Sequence, residues 1–284
     1  MFMKKHLSTV LLVLMLLTGI SLLLYPSFSN WWNSFHQSQA VASYTEMVSH
    51  IADDEYEQVL GEAKRYNDTI AETGIRWQMT EQQKEEYENL LDISGNGIIG
   101  YIEIPRISVL LPIYHGTDDA VLQTAAGHLE GSSLPVGGEG SHCVLSGHRG
   151  LPSAKLFTDL DKLTNGDTFM LNVLDEVLTY EVDQIRIVLP SDLSDLTIEE
   201  GKDYCTLVTC TPYGINTHRL LVRGRRIETK KGLSVRVTAD AMMVDRILVA
   251  IAFGVPMLLT IILVWLIVTG IQRRNKRNYR NFTW

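Results

Sequence analysis

Cysteine is scarce in this chain: three thiols among 284 residues, Cys143, Cys205 and Cys210, an odd number that argues against a disulfide framework and leaves one thiol free unless chains pair. Proline is scarce, Pro 8, and glycine no more than ordinary, Gly 21, which excludes a collagen-like or wholly disordered chain. No P-loop, dinucleotide fingerprint or serine nucleophile elbow is present, and there is neither an internal repeat nor a low-complexity tract. Basic charge is missing where a nucleic-acid surface would need it. Seven of the 25 Lys and Arg flank the two apolar runs described next, leaving residues 26–246 with 18 against all 33 Asp and Glu, a net −15.

Hydrophobic residues are not scarce, but they are unevenly spread. Leu7 to Tyr25 and Ile247 to Ile271 are uninterrupted uncharged runs. The second, 25 residues long, would reach about 37 Å as a helix, enough to cross a hydrocarbon layer of about 30 Å. Its Pro256 is tolerable in lipid, and Thr260 and Thr269 can bond back to the backbone. The first run follows Lys4 and Lys5, so residues 1–25 are either a signal segment or a retained membrane anchor. Its length and the absence of an Ala-x-Ala site favour the anchor. Basic residues lie on the outer flank of each run, Lys4 and Lys5 before the first and Arg273, Arg274, Lys276, Arg277 and Arg280 after the second. Both termini are therefore expected in the cytoplasm and the middle outside.

Between the runs the periodicity changes once. From Gln37 to Glu72, apolar residues recur at three- and four-residue steps, the pattern of an amphipathic helix. A second helix is expected from Thr80, where Thr80 and Gln83 form a capping box, ending at Gly95-Asn96-Gly97. From Ile98 on, short β-branched and Leu-rich runs follow one another: Ile98–Ile104, Val109–Tyr114, His142–Ser146, Thr168–Val173, Val177–Val188, Tyr204–Cys210 and Arg219–Ile227. Turn residues bound them, the spacing of an antiparallel barrel or sandwich, with a short helix and turn over Pro152–Leu163 and a tight turn at Asn165-Gly166-Asp167.

One stretch carries chemistry. Cys210 ends a strand, Arg219 begins the next, and the eight residues between include Pro212, Gly214 and Asn216, which favour a turn. If the strands pair around that turn, thiol and guanidinium face each other, with Cα atoms about 4.5 to 5.5 Å apart. A fixed cation favours thiolate and can stabilise an oxyanion; the plainer alternative is a surface Arg beside an inert Cys. A cysteine nucleophile also needs an acid/base. His6, His36 and His50 are poorly placed, which leaves His115, His128, His142, His148 and His218. His148 sits in the Gly-flanked loop Ser146-Gly147-His148-Arg149-Gly150, and His218 should point to the face opposite Arg219. His142, Cys143 and His148 lack the close pair spacing of a zinc site, so no metal and no cofactor are expected.

Taken together, Thr206-Leu-Val-Thr-Cys210, the Arg nine residues on, and Ser146-Gly-His-Arg-Gly150 resemble the signature of the sortase family, and Gly100-Tyr-Ile-Glu-Ile-Pro105 with the flanking architecture resembles class C, the pilin-polymerising members. The resemblance implies a mainly β fold: a closed eight-stranded barrel with short helices over residues 98–230. It would carry an N-terminal helical extension (26–97), a linker (231–246), a transmembrane helix (247–271) and a basic tail (272–284). It implies catalysis by Cys210 as nucleophile, His148 as acid/base and Arg219 as oxyanion and substrate holder. The substrates would be pilin subunits with Leu-Pro-x-Thr-Gly-like sorting signals, and the enzyme would sit at the membrane with its catalytic domain outside the cell. Attachment of proteins to cell-wall precursor, or peptide binding without catalysis, are the alternatives. Many class C members carry an Asp-Pro-aromatic lid. This chain has no Asp-Pro, and Trp77, the candidate plug, lacks matching flanks, so no lid of the family type is expected.

Overall fold

Seven β-rich runs and one inconspicuous tripeptide close into a barrel. In order they are β1 (Ile98–Ile104), β2 (Val109–His115), β3 (Ala126–His128), β4 (Ser141–Ser146), β5 (Thr168–Val173), β6 (Glu176–Val188), β7 (Asp203–Thr211) and β8 (His218–Ile227). The strand order around the barrel is β1-β2-β3-β4-β7-β8-β6-β5. The structure, a computed structural model, describes residues 2–229 together with Met257, Thr260, Val264 and Gly270. The expected second membrane helix, linker and basic tail otherwise lie outside the described residues. At Thr260 the hydroxyl donates to the Met257 carbonyl at 2.7 Å, the back-bond anticipated for that residue.

Strand alternation divides the side chains between two layers. Ile102, Ile113, Leu145, Leu171, Leu207 and Val222 point inward and are fully or almost fully buried. Burying each contributes about 1.5 to 3 kcal/mol relative to exposure. A second, smaller cluster lies on the outer face of β4, β7, β8 and β6, where Val144, Val208, Leu221 and Val188 pack beneath Leu196 of the β6–β7 connection. This outer face positions the site. Two pairings are parallel, β2 with β3 and β4 with β7, so the barrel is not purely antiparallel.

Three helices precede the barrel: α1 (Phe2–His50), α2 (Asp53–Thr73) and α3 (Glu81–Glu88). α1 is unbroken across the expected boundary at residue 25 and contains Pro26. Its apolar side chains from Leu11 to Phe28 are exposed, and the helix is long and apolar enough to cross a membrane. Beyond them it docks lengthwise on the barrel. Asn30 Oδ1 accepts from the Lys155 amide, Asn33 donates to the Ser153 carbonyl, and Gln37 donates to the Thr124 carbonyl. Tyr44, fully buried, donates to the Ile99 carbonyl and accepts from the Leu174 amide. The single helix expected over Gln37–Glu72 is instead two, because Ala52 takes an extended conformation and Asp53, Asp54 and Glu55 fill the favourable first turn of a new helix. The capping box at Thr80 and Gln83 is present as expected.

β3 escaped the sequence pattern because Ala126-Gly127-His128 has no β-branched or aromatic residue. It is held by its neighbours: Gly127 has no room for a Cβ, which would collide with the Gly116 carbonyl oxygen.

Candidate active site

The pairing of β7 with β8 sets Cys210 directly across from Arg219, with the turn Pro212–Thr217 between them. Asn216 and Gly214 take positive φ, and the amides of Ile215 and Asn216 both donate to the Pro212 carbonyl, closing a tight turn. Arg219 Nη1 donates to the carbonyls of Asn216 and His218 at 3.3 and 3.2 Å, which holds the guanidinium over this turn. On the far side of Arg219, β6 contributes Val188 to the same row.

His148 reaches the row from the other direction. β4 runs parallel to β7 with Ser146 beside Val208, and the Gly147 amide continues the ladder by donating to the Val208 carbonyl at 3.1 Å. The Thr209 hydroxyl donates to the Gly147 carbonyl at 2.7 Å. β4 ends at Ser146, and counting two residues on from the Ser146–Val208 pair puts His148 level with Cys210, on the outer face if the alternation continues past the strand end. The resulting row across four chain segments reads His148, Cys210, Arg219, Val188, above the small apolar cluster of Val208 and Leu221.

Local contacts fix the His148 loop. A Cβ on Gly147 would meet the Phe157 ring at 2.6 Å, so only glycine lets the backbone lie against that buried side chain. The Phe157 amide donates to the His148 carbonyl, Thr158 accepts from the Gly150 amide, and Arg149 pairs with Asp161. Tyr213 of the β7–β8 turn lies against Gly150, where a Cβ would touch its ring at 2.8 Å. The half-buried His148 ring has Nε2 3.7 Å from the Asp119 carboxylate at the start of α4 (Asp119–Leu122). Asp119 and Val188 have no local sequence signal, because barrel closure alone brings them here, whereas Tyr213 comes with the turn next to Cys210.

The other histidines separate from the site. His128 is fully buried, with Nε2 donating to the Ser133 carbonyl at 2.8 Å and Nδ1 accepting from Tyr87 at 2.7 Å. His142, also fully buried, donates from Nδ1 to the Thr197 carbonyl and accepts from Thr206. Burial pushes its pKa down. Burial, together with neighbouring His128, pushes His115 down to about 4. His218 pairs across from Thr211, off the Cys210 row. Cys143 and Cys205 are buried cross-strand partners pointing into the barrel, and burial pushes the Cys205 thiol well up. Among the described residues no group of three or more His, Cys, Asp or Glu converges as metal ligands would.

Trp77 does not join the row. It lines a groove with Gly140 and Gly201, at the end of the barrel where β4 and β7 begin, and the Arg76 amide donates to the Gly131 carbonyl there. Cys210 stands at the other end of β7, roughly 23 Å along the strand at about 3.3 Å per residue.

A sortase domain model matches residues 102–227. Among solved structures, sortase C1 of Streptococcus agalactiae is 54% identical with a TM-score of 0.67, over 68% of this chain and 100% of that one. The Streptococcus pneumoniae sortase C, whose structure was described as providing insights into catalysis and pilin substrate specificity, is 45% identical with a TM-score of 0.60, over 67% of this chain and 97% of that one. Sortase D of Bacillus subtilis is 34% identical over 131 residues, 45% of this chain and 63% of that protein.

Proposed function

The chain belongs to the sortase family, and from that premise we propose that it is a membrane-anchored cysteine transpeptidase of class C that joins pilin subunits. The observation that carries the chemistry is Cys210 directly across from Arg219, with His148 two residues past the Ser146–Val208 pair of the neighbouring strands. Cys210 Sγ attacks the Thr carbonyl of a Leu-Pro-x-Thr-Gly-like signal, and the Arg219 guanidinium faces the oxyanion that develops there. Collapse of the tetrahedral intermediate breaks the Thr–Gly bond, forms the thioester, and releases the glycine amine with a proton from His148. A lysine amine of a second subunit then attacks the thioester, gives its proton to His148, and leaves an isopeptide bond and the Cys210 thiolate.

The exposed apolar run of α1 supplies the membrane anchor, and the identity with sortases C from two streptococci supports the pilin reading. The test is intact mass spectrometry of the protein incubated with a Leu-Pro-x-Thr-Gly peptide. An adduct equal to the peptide cut after Thr, absent from Cys210→Ala, is the expected result. A fully folded wild-type protein that neither cleaves nor acquires mass would remove the enzymatic reading. A lysine-bearing pilin fragment added to the acylated enzyme should discharge it as a crosslinked product.

A further inference from the structure

The direction of α1 decides which end of the barrel meets the lipid. Its exposed apolar segment ends near Tyr25, and an aromatic group follows, with Phe28, Trp31, Trp32 and Phe35 in successive ring contacts, the composition of a membrane–water interface. At about 1.5 Å per residue, Asn30 and Asn33 stand roughly 8 and 12 Å beyond Tyr25, against a headgroup layer of about 5 to 7 Å on each side. These two asparagines are bonded to Lys155 and Ser153, which belong to the loop that carries His148. Tyr44, three helical turns further along, is bonded to Ile99 and Leu174 at the opposite end of the barrel.

Two independent features agree with this polarity. The turn next to Cys210, Pro212–Thr217, has no charged residue and presents Ile215 and Tyr213 at 68% and 61% exposure. At that end Asp161 is paired with Arg149, and Asp159 with Lys155 and Lys162, while Asp118 and Asp119 are exposed beside His148. Exposed acids are more numerous at the opposite end, with Asp53, Asp54 and Glu57 at the start of α2, Glu176 at the β5–β6 turn and Glu200 before β7. A bilayer bearing anionic lipid would repel that end and accept the other.

We infer that the active-site end of the barrel rests on the membrane, with Ile215 and Tyr213 dipping into the lipid headgroup region, so that the Cys210 row opens along the bilayer surface. This rests on the reading of α1 as the anchor. The occupant is the bilayer in which α1 sits, because one unbroken helix carries both the apolar segment and the bonds to the His148 loop.

Spin-label accessibility in the full chain, reconstituted into phosphatidylcholine–phosphatidylglycerol vesicles, tests it. In a Cys210→Ala background, where the remaining thiols are buried, single labels go on Ile215→Cys, Glu57→Cys and Leu16→Cys. The expected result is a nickel-chelate accessibility at least threefold lower at 215 than at 57, with oxygen favoured at 16. Equal accessibility at 215 and 57, with position 16 in lipid, would overturn the inference and leave the anchor standing. An aqueous signal at all three positions would remove the anchor and the inference together.

Discussion

At the scale of single residues, the three thiols are distinguished by which face of a strand they occupy. Cys143 and Cys205 face the barrel interior and Cys210 faces outward, so a bulky thiol reagent should modify one cysteine in the native protein and three in denaturant. Mass spectrometry after brief labelling checks the count, and two native modifications would contradict the assignment of faces. Gly147 is a second such case. Its backbone lies where a Cβ would overlap the Phe157 ring, and overpacking of this kind costs about 1 to 3 kcal/mol. Gly147→Ala is expected to lower the melting temperature and to slow acylation by a sorting-signal peptide at least tenfold, because the displaced segment carries His148. Cys210 and Arg219 were legible in the sequence, since the turn between them is written in Pro, Gly and Asn. The alignment of His148 with Cys210 was not, because a register between segments so distant in the chain leaves no local trace.

At the scale of elements, strands announce themselves by β-branched content, and each of the seven expected runs matches its strand to within a residue at either end. What periodicity could not show was the break between α1 and α2, where the apolar spacing continues through Ile51 while the backbone turns. Nor could it place the α2–α3 connection. That segment passes the end of the barrel where β4 and β7 begin, held by Arg76 on Gly131 and by Asn67 of α2, which exchanges hydrogen bonds with the Leu134 backbone at 2.7 and 3.0 Å. Trp77→Ala should therefore leave the rate of Cys210 alkylation by iodoacetamide within twofold of wild type. A tenfold acceleration would show that this segment visits the other end of the barrel and shields the thiol.

At the scale of the whole molecule, the buried imidazoles tie stability to pH. The folded barrel holds His115 neutral down to about 4, whereas in the unfolded chain it takes a proton near its ordinary pKa of 6.5. Between those values the unfolded state binds more protons, so the contribution is complete above pH 6.5 and is lost as pH falls toward 4. From His115 the loss is on the order of 2 to 3 kcal/mol, and His142, also pushed down by burial, adds in the same direction. Urea unfolding at pH 7.5 and pH 5.0 should show the decline, and His115→Gln should make the difference smaller. An unchanged slope in the variant would mean that the ring titrates normally in the fold.

The parallel pairing of β4 with β7 has a temporal side. His148 is made well ahead of Cys210, and nothing local brings them together. Long-range parallel ladders form late, after their loop-closure entropy has been met. During synthesis the thiol and the imidazole are therefore far apart on one chain. The Cys210–Arg219 pair and the segment carrying His148 come together only when the last two strands have closed the barrel.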